Sequence, residues 1–425
     1  MFWGVKTLTA FAVLIPAFAS AEPEGVTFEV TAGTHDRRET PMFHALPASL
    51  NGAKAFRLED VESKKSLPVQ VVPEAAGVRS VVFMLDELKA GTSRRYRLIS
   101  VEPGRSNDAA ASCVCSDDGK TLTLKVGGRN VLTYRREVVE PPPGIDPLYR
   151  RSGYIHPLLT PSGKEVTGDF APDHAHQHAL FFAWVNTNYA GRKVDFWNQQ
   201  GRTGRVRALD IIDVQSGPVF AGFRVRQRHE DLTASDGPAP VLNEVWTVRA
   251  YKVSPDSGRF LIDFLSTQTC AGPTPLVLNK YIYGGLGIRG NTRWYDPSAD
   301  GDNPPDPSKS GESDFLTSEG KHRTEGNHTK PRWVDLSGKL DGAFAGLTVL
   351  DDPRNFRFPQ PVRLHPNKPY FCFAPVVEKG FTIEPGTPYV SRFRLVPHDG
   401  APEPKAIDRL WSDLGEPPAV KAVVD

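Results

Sequence analysis

Pro172-Asp173-His174-Ala175-His176-Gln177-His178 runs directly into Ala179-Leu180-Phe181-Phe182-Ala183-Trp184. Three of the chain's eleven histidines stand here at every second position. Side chains of an extended strand alternate between two faces, so the spacing predicts a strand with three imidazoles on one face, roughly 7 Å apart. A strand that only packs would carry Val or Ile there. Three neutral imidazoles on one face can bind a metal, position a substrate oxygen or shuttle protons.

Outward from this stretch the chain reads as mainly β. Segments 26–32, 81–85, 96–101, 121–126 and 130–134 are short, rich in β-branched and aromatic residues, and bounded by Gly, Asn, Asp or Pro. They predict a small N-terminal β-sandwich over residues 22–140. Pro141-Pro142-Pro143-Gly144 then forms a stiff extended segment, read as a linker or an edge-covering loop. Beyond it, strand-like segments recur at 179–186, 206–214, 220–229, 241–251, 259–269, 281–288, 343–351, 370–374 and 389–396. Helical periodicity is confined to 404–414, where Ile407, Leu410, Trp411 and Leu414 fall at i, i+3, i+4 and i+7. The expected architecture is an antiparallel β-sandwich over residues 150–415 that carries the histidines, with the small N-terminal sandwich and one C-terminal helix. Residues 296–330 are polar and rich in Gly, Pro, Ser and Asp, too long for a plain turn, and read either as a disordered insertion or as a loop over a site.

At the N-terminus Lys6 precedes an apolar run from Leu8 to Phe18 and the small-x-small Ala19-Ser20-Ala21, which reads as a secretory signal peptide over residues 1–21. The run is shorter than the 18 or so residues a membrane-spanning helix needs, and no later segment qualifies. The expected protein is secreted or periplasmic, with no membrane span after cleavage. With 51 basic and 50 acidic residues the formal net charge is +1, and no nucleic-acid partner is expected. Basic residues cluster locally at Arg202, Arg205 and Arg207 and at Arg224, Arg226 and Arg228, in an alternation that reads as solvent faces of strands. The four cysteines form no evident disulfide framework. Cys113 and Cys115 are too close in sequence to pair, and Ser116-Asp117-Asp118-Gly119 after them reads as a hairpin turn, making them strand residues rather than a metal half-site. A Cys270 to Cys372 bridge stays open as an alternative. No glycine-rich phosphate cradle follows a strand and opens a helix, so a nucleotide cofactor is not expected, and a serine nucleophile elbow is missing. In Gly284-Gly285-Leu286-Gly287 the glycines suggest close backbone approach or a bulge.

Flanking the histidines are Tyr154-Ile155-His156-Pro157-Leu158, Thr160-Pro161-Ser162-Gly163 and Val194-Asp195-Phe196-Trp197. Further on come Tyr283-Gly284-Gly285-Leu286-Gly287 with Arg289, Arg332-Trp333-Val334-Asp335, Pro369-Tyr370-Phe371-Cys372-Phe373-Ala374-Pro375 and Arg394-Leu395-Val396-Pro397-His398-Asp399-Gly400. In this order the motifs resemble those of the PmoA-like proteins, secreted bacterial proteins often labelled methane oxygenase PmoA, over roughly residues 150–412. A membrane methane monooxygenase subunit needs several long apolar spans, and this chain has none, so methane oxidation is rejected as the activity. The resemblance implies a β-sandwich protein encoded among carbohydrate-degradation functions, similar in fold to galactose-mutarotase-like supersandwiches. The family's Asp-His-Pro-His-His pattern is altered here, with Ala175 for the Pro and Gln177 for the last His. Asp173, His174 and His176 carry over, and a role at position 177 does not.

The expected substrate is accordingly a small molecule or oligosaccharide. His174 and His176 are read as proton-transfer groups toward a sugar, or as metal ligands, with Asp173 orienting a histidine or else capping the loop after Pro172. Glu244, a carboxylate in the apolar Leu242-Asn243-Glu244-Val245-Trp246, is the candidate general base, unless it simply points outward. His156 and His365, each before a proline, are candidates to complete a divalent-metal site with His174 and His176. His178, Trp184, Trp197, Tyr283, Arg289 and Trp333 are the candidate substrate-binding residues: aromatic rings stack on the apolar faces of pyranoses, and Arg289, like Arg332, can clamp a carboxylate. The expected activity is that of a lyase, hydrolase or epimerase on a sugar or oxidised sugar derivative; a non-catalytic glycan-binding module is the alternative.

Overall fold

Along the strand Ala239–Tyr251, Leu242, Glu244, Trp246, Val248 and Ala250 are buried while Asn243, Val245, Thr247 and Arg249 are partly exposed. This two-residue period, repeated strand after strand, folds the chain into stacked sheets. In this computed structural model the described residues are Met1, 25–73, 77–102, 112–295 and 313–423. The rest of the expected leader lies outside them. No helix among the described residues is long and apolar enough to cross a membrane.

Two eight-stranded antiparallel sheets make the main body. One runs in the order Gly204–Gln215, Phe220–Asp231, Ala239–Tyr251, Leu261–Cys270, Tyr389–Asp399, Ala343–Asp351, Trp333–Leu340 and Asp314–Thr317. The other runs Val362–Leu364, Tyr370–Phe373, Gly285–Arg289, Leu180–Ala183, Tyr154–Leu158, Arg129–Arg135, Thr121–Val126 and Cys113–Asp117. Their inner faces share one core, in which Tyr134 of the second sheet packs on Phe223 and Trp246 of the first. The protein is thus a mainly β antiparallel sandwich, as its sequence predicts.

The unit boundary differs from the expected 140. Strands Thr121–Val126 and Arg129–Arg135 join the large sandwich, because their alternating Leu122, Leu124, Leu132 and Tyr134 complete its core. Pro141–Gly144 therefore lies inside the large unit, next to the bridge between Val139 and Arg151. The N-terminal unit is a five-stranded and a three-stranded sheet around Phe28, Leu58, Phe83, Tyr96 and Leu98. Its edge is closed by Ala419–Val423 from the far end of the chain, paired with Gly25–Thr31.

The expected C-terminal helix spans Pro404–Gly415 and buries Ile407 and Leu410. With Trp411 and Leu414 these pack against Val72 and Val82 of the N-terminal unit and Phe220 and Tyr251 of the large sheet. Burying each aliphatic side chain contributes about 1.5–3 kcal/mol. Buried Arg37 holds the helix end, donating to the carbonyls of Ser412 (3.1 Å) and Glu416 (2.6 Å) and pairing with Asp413 (3.2 Å). Within 296–330, residues 296–312 lie outside the described residues. The remainder is ordered into the strand Asp314–Thr317 and a one-turn helix, Arg323–Gly326.

The glycines at 285 and 287 are close-approach positions. A Cβ on Gly287 would sit 2.6 Å from the Trp197 ring, and one on Gly285, at φ +109°, 2.4 Å from the Phe373 carbonyl oxygen. All four cysteines are free, so the Cys270 to Cys372 alternative is set aside: Cys372 is buried in the core, and the Cys270 thiol donates to the Ile383 carbonyl.

Candidate functional site

Antiparallel pairing brings three connections to one end of the second sheet. Leu180 pairs with Ile288, and Arg289 with Tyr370, so the loop before Leu180, the end of strand Gly285–Arg289 and the turn between Leu364 and Tyr370 are neighbours. Histidines 174 and 176 come from the first, Arg289 from the second, His365 and Lys368 from the third.

Residues 172–178 are not the predicted strand. Extended structure begins at Leu180, and the histidines stand on consecutive tight turns, with hydrogen bonds from His174 N to Ala171 O (3.0 Å) and from Gln177 N to His174 O (2.9 Å). Pro172 has no N–H to give a ladder, and Phe170 and Ala179 take left-handed φ values of +46° and +51° at the loop's ends. The three imidazoles consequently diverge. His174 and His176 lie together, ring centroids 5.2 Å apart, with His365 6.4 Å from His174. His178 turns into the protein, where Asp169 holds its Nδ1 at 2.8 Å and Gln199 its Nε2 at 2.9 Å. Asp169 also accepts from the Tyr154 hydroxyl at 2.6 Å. With no exposed surface, His178 faces the interior and pins the loop.

Asp173 is the hub. Its carboxylate accepts two hydrogen bonds from the fully buried Arg289 (2.6 and 3.1 Å), lies 3.2 Å from the Lys368 ammonium and 2.9 Å from His174 Nδ1. Burial by itself would raise this carboxyl, but the hydrogen bond with His174 and the Arg289 guanidinium outweigh it and hold it far below the ordinary carboxylate range. Arg289 also donates to Gln177 Oε1 at 3.0 Å, locking the loop. An ionised carboxylate can only accept, so Asp173 favours the tautomer with hydrogen on Nδ1, which leaves the lone pair on Nε2, an atom without a partner among the described residues. The His174 side chain is 32% exposed to solvent. Lys368 approaches Nδ1 to 3.3 Å, longer than the Asp173 contact. His176 and His365 stay neutral: burial, reinforced for His176 by His174 and for His365 by Arg363 and Lys368, lowers each to about 3. The result is a carboxylate-held imidazole beside two neutral ones, with two cations sharing one carboxylate.

Several expected site residues lie elsewhere. His156 bonds Thr167 through Nδ1 at 3.1 Å, is lowered to about 4 by burial, and takes no part in a site with the other three histidines. Among the described residues no group of three or more His, Cys, Asp or Glu side chains is arranged to hold a metal ion, and the clustered rings stand 5.2 and 6.4 Å apart between centroids. Glu244 belongs to the core of the opposite sheet, not to the histidines. It is fully buried and accepts from Trp246 Nε1 (2.7 Å), Ser266 (2.5 Å) and Gln268 (3.0 Å), with His229 at 2.8 Å. Burial pushes its carboxyl up, but the His229 contact and these hydrogen bonds prevail and keep it below its ordinary value, the wrong direction for a general base.

The tryptophans are structural as well. Trp184 donates to Gln268 at 2.7 Å, Trp333 donates to Asp408 of the C-terminal helix at 2.9 Å, and Trp197 is enclosed by Phe181, Tyr283 and Tyr370. Each is about 1% exposed or less, leaving no face for a sugar. Tyr283 is half-buried and its hydroxyl meets Asn198. Arg332 pairs with Asp408 and lies over the Trp411 ring. Lys368 is the group that sequence reasoning missed. A lysine in a polar turn carries no signal until the pairing of Arg289 with Tyr370 sets it against Asp173.

A family model described as a family of unknown function, DUF6807, matches residues 121–412, and the chain belongs to that family. No curated protein matches the chain. Among solved structures, a TPR-domain containing protein from Parabacteroides distasonis is similar at 10% identity, with 87% of this chain and 57% of that one covered and a TM-score of 0.23. The chain thus spans little more than half the length of that protein.

Proposed function

We propose that this DUF6807 member is an extracytoplasmic carbohydrate-active enzyme that moves a proton on a sugar or oxidised sugar derivative, as a lyase, hydrolase or epimerase. The observation that carries the reading is the Asp173–His174 pair at 2.9 Å, with Nε2 unpartnered and the side chain a third exposed. His174 Nε2 takes the substrate proton while Asp173 fixes the tautomer and stabilises the imidazolium that forms. Lys368 faces the charge that develops on the substrate, and neutral His176 and His365 are suited to bond hydroxyls without competing for the proton. Arg289 holds Asp173 and the loop. The resemblance to PmoA-like proteins supplies the carbohydrate context, and the sequence of residues 1–21 the export.

Plant and algal oligosaccharides and their 3-keto derivatives, incubated with the protein and followed by mass spectrometry, test the reading. A substrate converted by the wild type and not by His174→Ala, with the fold retained, supports it. Saccharide binding without conversion of any candidate assigns the protein to non-catalytic glycan recognition instead. N-terminal sequencing of the exported protein tests cleavage after Ala21.

A further inference from the structure

Beside the turn that carries Tyr149, whose ring stands 6.5 Å from that of His176, lies a cavity of about 530 Å³. Its lining includes five arginines, Arg150, Arg151, Arg202, Arg205 and Arg207, and one carboxylate, Asp146. The sequence reads three of these as the solvent face of a strand, but Arg202 instead caps a 3-10 turn at φ +54°, which brings it to the cavity beside the other two. Glu230, opposite Arg205 on the neighbouring strand, takes Nε of Arg205 and Nε of Arg207 at 2.8 Å each and Nη2 of Arg205 at 2.7 Å, so one carboxylate holds both guanidiniums. Arg150 lies 3.8 Å from Glu140, both well exposed. Buried Arg151 lies over the core Phe181 ring, 5.0 Å from its centroid, with Nε and Nη2 lacking a hydrogen-bond partner, and belongs to the core charge balance rather than to the cavity's. Counting Asp146, Glu230 and Glu140 against the other four arginines leaves one positive charge in surplus around a concave surface, while the chain as a whole is nearly neutral. Leu148, Val206 and Leu232 give the cavity apolar wall.

We propose that this cavity is a subsite for an oxyanion carried by a saccharide, a carboxylate or a sulfate ester, and that the substrate of the histidine site is an acidic glycan. Guanidinium forks match both oxyanions, and two held in register by one buried carboxylate are pre-organised for them. The subsite is linked to the histidine loop through one side chain. Gln199 lines the cavity, bonds His178 Nε2 and donates to the Arg150 carbonyl at 3.0 Å, so an occupant presses on the same side chain that pins His178. The saccharide half of this proposal rests on the proposed function; the anion preference does not.

The test is isothermal titration of the full-length protein with a uronate oligosaccharide, a sulfated oligosaccharide and a neutral one of equal length, at low and high salt, with inorganic sulfate as a fourth ligand. The expected result is at least tenfold tighter binding of one acidic oligosaccharide than of the neutral one, weakened by salt. The favoured arm identifies the anion. Arg202→Gln/Arg205→Gln should erase the preference while His174→Ala keeps it. Equal affinity for acidic and neutral sugars, an acidic preference unchanged in the arginine variant, or binding of inorganic sulfate alone overturns the proposal. Acidic binding without turnover of any sugar leaves the subsite standing and removes the catalytic reading; turnover confined to neutral sugars does the reverse.

Discussion

Removing the Asp173 carboxylate strikes stability and chemistry at once, and the two effects separate cleanly. Asp173→Ala leaves the Arg289 guanidinium, itself fully buried, without the two hydrogen bonds at 2.6 and 3.1 Å and without a counter-charge. Breaking a buried pair from one side costs about 3–5 kcal/mol, because the abandoned charge stays desolvated. Replacing both partners, in Asp173→Ala/Arg289→Met, removes that charge and should recover most of the loss, giving a coupling energy of about 2 kcal/mol or more in a double-mutant cycle. Urea unfolding followed by tryptophan fluorescence measures it. The pH dependence has a definite sign. The folded carboxyl is depressed, so its contribution is complete above the unfolded value of about 3.9 and is lost as pH falls below it toward the folded one. Wild-type stability should therefore drop across that acid range more steeply than that of the double variant. A cost for Asp173→Ala below about 1 kcal/mol, or additive single changes, would refute Asp173 as the anchor. Activity distinguishes its other role: the double variant should refold yet remain slow, because His174 has lost its orienting partner.

Four further outcomes follow from the same geometry. His174→Ala should lower turnover at least about a hundredfold with little change in the urea midpoint, checked on whichever sugar the screen identifies. Glu244→Leu should cost about 3 kcal/mol or more by stranding the donors on Trp246, Ser266 and Gln268, yet leave kcat of the folded fraction unchanged if Glu244 has no catalytic part. His176 binds its proton far less readily folded than unfolded, so stability should fall by up to about 1.4 kcal/mol per pH unit from near pH 6.5 toward 4, and His176→Gln should flatten that slope in thermal melts. Thiol titration of the denatured protein without reductant should count four free cysteines, and reductant should leave Tm unchanged.

Much of the architecture was legible because alternation is a local signal. The strands at 220–231, 239–251, 261–270, 343–351 and 389–399 announce themselves through β-branched and aromatic residues at every second position, and the C-terminal helix through its apolar spacing. The unit boundary was not legible: Thr121–Val126 carries the same pattern whichever core it joins, and only packing against Phe223 and Trp246 assigns Tyr134 and its hairpin to the large sandwich. The histidine stretch misled in the same way. Its period of two matches a strand, but the period says nothing of the backbone that Pro172 and two left-handed residues impose.

By itself, then, the sequence determined a β-sandwich with a terminal helix and drew attention to Asp173, His174 and His176. The tertiary structure decided what those residues do with one another. It turned His178 inward to Asp169, sank Glu244 among core donors, and closed Trp184, Trp197 and Trp333 off from solvent. It also brought Arg289 and Lys368, distant in the chain, onto one carboxylate. The physical reason is range. Side-chain alternation and turn chemistry act within a few residues, whereas a site's charges and proton acceptors are set by partners more than a hundred positions away, which only strand pairing brings into contact.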